Sequence, residues 1–282
     1  MEWKKFKRKS KITKSDFTPS FVNSYLEPNV IEHEVWLGMP KELNGLIVCN
    51  HGFKGMPIVA DTLYRFALEH GLALATMDLP FHGKRTYCGK ALIDIIFEED
   101  FGFAEYCNLF HLAVQDWIDF LQVVWSKICK KGNKTHVMGF GMGGFIALNL
   151  APNISNPGAA LAISNSGDLG KSALNYFAPY SHYIENVRHS SFLKEIGEAI
   201  AGNFKYQEHY DRIDPFKTCL NLEQDPLLVN GSQDPIATQA DTENFLISIN
   251  KSPSYCAAFH NRGHEVLDWN HIVDTIKWRL IQ

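Results

Sequence analysis

The spacing of hydrophobic residues along this chain changes repeatedly between the alternation of strands and the longer period of helices. Strand patterns occur at 29–40, 43–52, 71–80, 135–140, 158–164, 226–234 and 254–260. Helical spacing occurs between them at 57–70, 104–131, 143–151, 237–250 and 266–281. Since strands and helices alternate, the pattern predicts an α/β fold: a mostly parallel sheet with helices on both faces.

The alternation lapses between residues 166 and 215, where the sequence is rich in aromatic residues and mostly helical. A helical segment between two strands of a sheet is typical of a lid that covers a site. We therefore expect a single domain with its core at 16–165 and 216–282 and a helical lid at 166–215.

Charge is unevenly distributed. Residues 1–15 contain seven Lys or Arg and one acid, about +6, which leaves about −10 for the remainder of the chain. We expect a short basic arm, solvated or loosely docked, and no nucleic-acid partner because the body is acidic.

No apolar run reaches the roughly 18 residues that span a bilayer, so the sequence predicts a cytoplasmic protein without membrane contact. The six scattered cysteines predict free thiols.

The stretch "GFGMGG" at 139–144 permits two interpretations. Gly139, Gly141 and Gly144 fit G-x-G-x-x-G, a dinucleotide-binding pattern in which the next strand ends in an acid that holds the ribose. Here that strand ends in Ser164 and Asn165. An NAD(P)-binding oxidoreductase is therefore the remote alternative.

The same stretch resembles the G-x-S-x-G nucleophile elbow of the α/β-hydrolase superfamily, with Gly141 in place of the serine. Three further motifs follow the order of that family. "NHGFKG" (50–55) resembles its HG loop, "DLPFHGKR" (78–85) resembles its strand-end turn, and Asp234 and His264 follow late strands as the triad acid and base do. The resemblance covers residues 43–282, and within it the chain is similar to small bacterial esterases related to dienelactone hydrolases and prolyl oligopeptidases.

The resemblance implies roles for individual residues. His264 is expected as general base, Asp234 as the acid that orients it, and Gly141 as the nucleophile position. The backbone amides of Phe53 and Met142 are the expected oxyanion donors. Expected substrate-binding residues are His51, His82, Tyr176 and Tyr180.

Gly141 has no side chain and therefore forms no acyl-enzyme. Three explanations remain open. In the first, the His–Asp dyad and oxyanion hole act without a covalent intermediate, in hydrolysis, lyase or proton-transfer chemistry. In the second, the protein is a catalytically silent binding or interaction protein. In the third, a serine at position 141 was deliberately replaced. In each case the expected ligand is a small carbonyl or ester compound, with no cofactor and no metal.

Overall fold

The computed structural model describes residues 2–10, 32–53, 61–85, 90–96, 101–180, 190–259, 261–264 and 269–281. Strands in these ranges are β1 Glu2–Lys9, β2 Glu32–Met39, β3 Gly45–Asn50, β4 Leu72–Met77, β5 Lys134–Phe140, β6 Pro157–Ile163, β7 Pro226–Gly231 and β8 Cys256–Phe259. They form one sheet in the order β1-β2-β4-β3-β5-β6-β7-β8. Only β2 opposes the direction of its neighbours among these strands, so the predicted mostly parallel sheet is confirmed.

Helices connect these strands. Their bounds are α1 Asp61–Glu69, α2 Leu92–Ile95, α3 Phe103–Phe120, α4 Met142–Leu150, α5 Leu169–Phe177, α6 Ser190–Ile200, α7 Gln207–Asp211, α8 Pro215–Thr218, α9 Gln239–Ser248 and α10 Trp269–Leu280. The long helix predicted at 104–131 is α3, which continues through a π-helical turn at Leu121–Trp125 and ends at Ser126–Ile128. No helix among the described residues is long and apolar enough to cross a membrane.

Strand β3 shows how the sheet divides the core into two layers. Its side chains alternate between faces, as in any strand. Leu46 and Val48 join the buried cluster that contains α3 and α4, whereas Ile47 and Cys49 join the cluster that contains α1 and α10. All six β3 residues are buried, which explains the unbroken apolar run of the first five.

The expectation of a loosely attached basic arm at 1–15 is wrong for residues 2–9. They form β1, the edge strand, which pairs with β2 along its whole length. The strand is held because Phe6 packs against the core and Arg8 donates to the Asp119 carboxylate on α3. Because side chains alternate between the two faces of the strand, one face of this mostly charged segment packs against the core. Residues 11–15 lie outside the described ranges.

The segment predicted as a lid lies between β6 and β7, where the described part of the chain forms α5 to α8. It is attached to the core by Glu195 of α6, whose carboxylate accepts a 2.8 Å hydrogen bond from the Phe103 amide at the start of α3. Burial raises the pKa of Glu195. Whether this segment closes over a ligand stays a prediction.

The described cysteines carry free thiols, as predicted. They are Cys49, Cys107, Cys129, Cys219 and Cys256, and Cys88 lies outside the described residues.

A buried ion pair holds the loop after β4. Arg85 and Asp116 are both almost fully buried, and an Arg85 guanidinium nitrogen lies 2.8 Å from the Asp116 carboxylate. The same nitrogen donates to the Ser10 hydroxyl, and the other terminal nitrogen donates to the Asp78 carbonyl at 3.0 Å. The pair therefore joins β1, α3 and the β4 loop.

Removing one partner of this pair is expected to destabilise the fold strongly. Arg85→Met leaves the Asp116 carboxylate buried without its cation, which lowers the free energy of unfolding by about 3–5 kcal/mol. Urea unfolding measures the change. The control Lys194→Met breaks the exposed Lys194–Glu198 pair, which contributes less than about 1 kcal/mol. Equal effects of the two variants would contradict the importance of the buried pair.

Candidate active site

The turn between β5 and α4 has the tight geometry of a nucleophile elbow. Gly141 adopts φ 47° and ψ −112°, a conformation that favours glycine. A Cβ added at Gly139 would lie 2.0 Å from the Gly143 carbonyl oxygen, and one added at Gly143 would lie 2.4 Å from the His51 carbonyl oxygen. Side chains are therefore excluded two residues before and two residues after the apex, which explains the glycines at these positions.

Position 141 faces the histidine of the predicted dyad. A Cβ added at Gly141 would lie 3.7 Å from His264 Nε2 and 4.0 Å from the Ser164 carbonyl oxygen. These are ordinary contact distances. Space therefore exists for a side chain at the apex, in contrast to both flanking glycines.

The loops after β7 and β8 bring Asp234 and His264 together. His264 Nδ1 lies 2.8 Å from Asp234 Oδ2, and the carboxylate is buried. The other carboxylate oxygen accepts hydrogen bonds from the amides of Ile236 and Ala237, at 2.8 and 2.9 Å. With the proton on Nδ1, donated to Asp234, the neutral imidazole presents Nε2 as an acceptor toward Gly141.

Two residues that the sequence did not identify hold this arrangement. Ser164, which has a positive φ of 51°, donates its hydroxyl to the His264 carbonyl at 2.9 Å. The side-chain amide of Asn165 donates to the Gly141 carbonyl at 2.8 Å, while its backbone amide donates to Asn230 Oδ1 at 2.7 Å. In the sequence, the only indication of their role is that these polar residues directly follow β6. Their hydrogen-bond partners become apparent only in the folded sheet.

The loop after β3 lies beside the elbow. A Cβ added at Gly52 would lie 3.3 Å from the Phe140 carbonyl oxygen, so the backbone of this loop approaches the end of β5 closely. Phe53 follows in the loop, and Met142 is the first residue of α4, where backbone amides lack partners within the helix. Oxyanion donation by these two amides stays a prediction.

His51 and His82 contact backbone groups through both ring nitrogens. His51 Nε2 accepts from the Leu79 amide at 3.0 Å, so its proton lies on Nδ1, 2.7 Å from the Gly52 carbonyl. His82 Nε2 lies 2.7 Å from the Phe53 carbonyl, and its Nδ1 lies 2.9 Å from the Pro80 carbonyl. Both side chains are buried. Through these contacts the two histidines tie the β3 loop to the β4 loop, and binding of substrate by their side chains stays a prediction.

Burial disfavours the charged form of both histidines. Burial lowers the pKa of His51 to about 3, and the neighbouring His82 ring acts in the same direction. Burial also lowers the pKa of His82, although its two carbonyl partners oppose the shift. A neutral His82 donates to one of its two carbonyls. Neither ring is therefore suited to act as a general acid near neutral pH.

A narrow apolar cleft, with room for about one water molecule, lies next to Met142. Its lining residues are Leu79, Pro80, Leu92, Tyr106, Leu109, Phe110, Met142 and Ile146. The ring centroids of Tyr176, on α5, and Phe53 lie 5.2 Å apart, so the structure brings this predicted binding residue to the β3 loop. The side chain of Tyr180 lies outside the described part of the structure.

The described residues contain no group of three or more His, Cys, Asp or Glu that could hold a metal ion. His260, which the sequence places near His264, lies outside the described ranges.

The sheet order, the elbow and the order of the loops define the class: the chain has the α/β-hydrolase fold, as the sequence predicts. No family model and no curated protein matches the amino-acid sequence. Among solved structures, the chain is similar to the esterase Pf2001 of Pyrococcus furiosus, with a TM-score of 0.58 and 13% identity, covering 99% of this chain and 89% of the esterase.

Two further solved structures extend the comparison. A thermostable carboxyl esterase from Bacillus coagulans gives a TM-score of 0.56 at 13% identity, covering 100% of this chain and 97% of the esterase. A puromycin-hydrolyzing peptidase from Mycobacterium tuberculosis gives a TM-score of 0.61 at 15% identity, covering 89% of this chain but 37% of the peptidase. The chain thus spans little more than a third of the peptidase, and at these identities the likeness shows the fold alone.

Two of the elbow glycines, Gly141 and Gly143, are expected to respond differently to substitution. Gly143→Ala places a methyl group 2.4 Å from a backbone oxygen, so the turn must move and the loss of stability exceeds that of Gly141→Ala. The latter has space and incurs only backbone strain, about 1–3 kcal/mol. Denaturant unfolding of both variants gives the comparison. A Gly143→Ala protein as stable as Gly141→Ala would contradict the described packing of the turn.

Proposed function

We propose that this protein acts on a small carbonyl or ester compound with His264 as general base and without an acyl-enzyme. One observation carries the proposal: His264 Nε2 lies 3.7 Å from the Cβ position of Gly141, while Asp234 fixes the other ring nitrogen at 2.8 Å. The base is thus aimed at the position where an elbow nucleophile stands, although the chain has no hydroxyl there.

A water molecule can take the place of the missing hydroxyl. His264 Nε2 removes one of its protons as the water oxygen attacks the carbonyl carbon of the ester, which gives a tetrahedral oxyanion and an imidazolium. Collapse of this species breaks the bond to the alkoxide, and the imidazolium returns the proton to the leaving oxygen. Asp234 stabilises the imidazolium and keeps the ring oriented. The products are the carboxylic acid and the alcohol.

The amides of Phe53 and Met142 are the proposed donors to the oxyanion. The position of Met142 at the start of α4 supports this role, since the positive end of a helix dipole stabilises negative charge. His82 supports the role of Phe53, because its ring contacts the Phe53 carbonyl and restrains that peptide. Preorganised donors of this kind usually contribute a large part of acyl-transfer catalysis.

The apolar cleft suggests the chemistry of the ligand. It is lined by aliphatic and aromatic side chains and shares Met142 with the proposed oxyanion hole. An apolar substituent of a carbonyl bound at Met142 would face this lining, and its entry requires the lining side chains to move apart, because the cleft has a volume of only about 10 Å³. We propose a short acyl or alkyl group as that substituent. The same base could remove a proton beside such a carbonyl, which gives lyase or proton-transfer chemistry from the same geometry.

Hydrolysis of p-nitrophenyl acetate and butyrate tests this function. The unmodified chain is expected to show steady turnover without an initial burst, because no acyl-enzyme accumulates. His264→Ala removes the base and is expected to lower the rate by roughly 10²–10⁴-fold. The matched control His271→Ala changes an exposed histidine on α10 and is expected to have little effect.

Two results would contradict the proposal. A burst of one equivalent would place a covalent nucleophile in the site. Binding of ester analogues without any turnover that depends on His264 would make the protein a silent ligand-binding member of the fold.

A further inference from the structure

The outer face of β1 and β2 combines lysines with aromatic rings. Residues on alternate positions of β1 share this face: Trp3, Lys5, Lys7 and Lys9 are all exposed, and they follow one another along the edge strand. Lys5 is paired in register with Trp36 of β2. Lys84, exposed in the turn after β4, extends the positive charge over the same ring. We call these residues the basic edge.

The charge of the basic edge opposes that of the remaining molecule. Its four lysines, Lys5, Lys7, Lys9 and Lys84, carry about +4, whereas the whole chain has a formal net charge of −4, which leaves about −8 for the other residues. Glu34 lies within the basic edge and contacts Lys5 and Lys84, so it offsets only part of this charge. An anionic surface would attract this edge and repel the body, which fixes one orientation of the protein toward it.

The aromatic rings distinguish between two kinds of anionic partner. Trp3 stacks on Tyr64 of α1 with ring centroids 5.3 Å apart, yet remains 39% exposed. The ammonium groups of Lys5 and Lys84 lie 5.0 and 5.6 Å from the centre of the Trp36 ring. Stacking of nucleic-acid bases requires an open ring face, whereas Tyr64 covers one face of Trp3, and Lys5 and Lys84 lie over the Trp36 ring.

Binding to lipid headgroups does not require an open ring face. Trp and Tyr favour the boundary between headgroups and acyl chains, where the ring edge is apolar and the N–H or O–H stays hydrated. Lysines next to such a boundary bind anionic phospholipids through charge, without a geometric code. We propose that the basic edge docks this protein on a bilayer containing anionic phospholipid. The inference is independent of the proposed chemistry at His264.

This proposal departs from the sequence-based expectation of no membrane contact. A solvated arm would spread its charges through solvent, whereas β1 fixes Lys5, Lys7 and Lys9 on one face with Trp3. Binding of this kind is peripheral: it needs no spanning segment, and it weakens as salt screens the charges.

Vesicle flotation with the full chain tests the proposal. Binding is expected to phosphatidylcholine vesicles that contain phosphatidylglycerol, at low ionic strength, and is expected to be lost in pure phosphatidylcholine or in ~1 M salt. Lys7→Glu/Lys9→Glu reverses two exposed charges of the basic edge and is expected to weaken binding by roughly tenfold or more. The control Lys130→Glu/Lys131→Glu makes the same change in net charge at two exposed lysines after α3.

The role of Trp3 is measured separately. Trp3→Ser is expected to weaken vesicle binding while the lysines remain, and circular dichroism verifies that each variant is folded. Three outcomes would overturn the proposal: no flotation with anionic vesicles, equal loss in the control variant, or binding of single-stranded DNA that the Lys7 and Lys9 changes abolish while vesicle binding is absent.

Discussion

The close approach of the β5–α4 turn to the end of β3 is the constraint on which the candidate site depends. A side chain at Gly143 would collide with the carbonyl oxygens of Asn50 and His51, and one at Gly139 would collide with Gly143 itself. Because these backbones touch, the elbow apex, the start of α4 and the β3 loop are held in one place. Gly141 is the only one of the three positions where a side chain would meet ordinary contact distances, and His264 is what it would meet.

Buried polar networks on both sides keep this arrangement in place. On the β6 side, Asn165 joins the elbow carbonyl to Asn230. On the β4 side, Arg85 fixes the loop that His51 and His82 connect to the β3 loop. Buried groups of this kind stabilise a structure only when their partners are present, and loss of one partner is costly. The site is therefore supported by residues that do not face the proposed ligand.

Much of the fold follows from the sequence because its signals are local. Apolar runs such as that of β3, and the alternation of strands with helices, predict the parallel sheet directly. The glycines of the elbow and the order of Asp234 and His264 predict the location of the site. These patterns need no knowledge of which loops meet.

What the sequence did not reveal depends on contacts between distant segments. The charges of β1 dominate its pattern, and Phe6 and Arg8 become anchors only when α3 lies beneath them. The backbone partners of His51 and His82 are identified only when the loops after β3 and β4 are in place. Ser164 and Asn165 resemble ordinary loop residues for the same reason. Their partners lie far along the chain.

Position 141 is proposed to be an elbow apex served by the His264–Asp234 dyad, and fluorophosphonate labelling of Gly141→Ser is the sharpest test of this arrangement. We expect the variant to gain one phosphonyl group at residue 141 by mass spectrometry, the unmodified chain to gain none there, and Gly141→Ser/His264→Ala to react at least ~10²-fold more slowly. A folded Gly141→Ser protein that remains unlabelled, or one labelled equally fast without His264, would contradict the proposed arrangement.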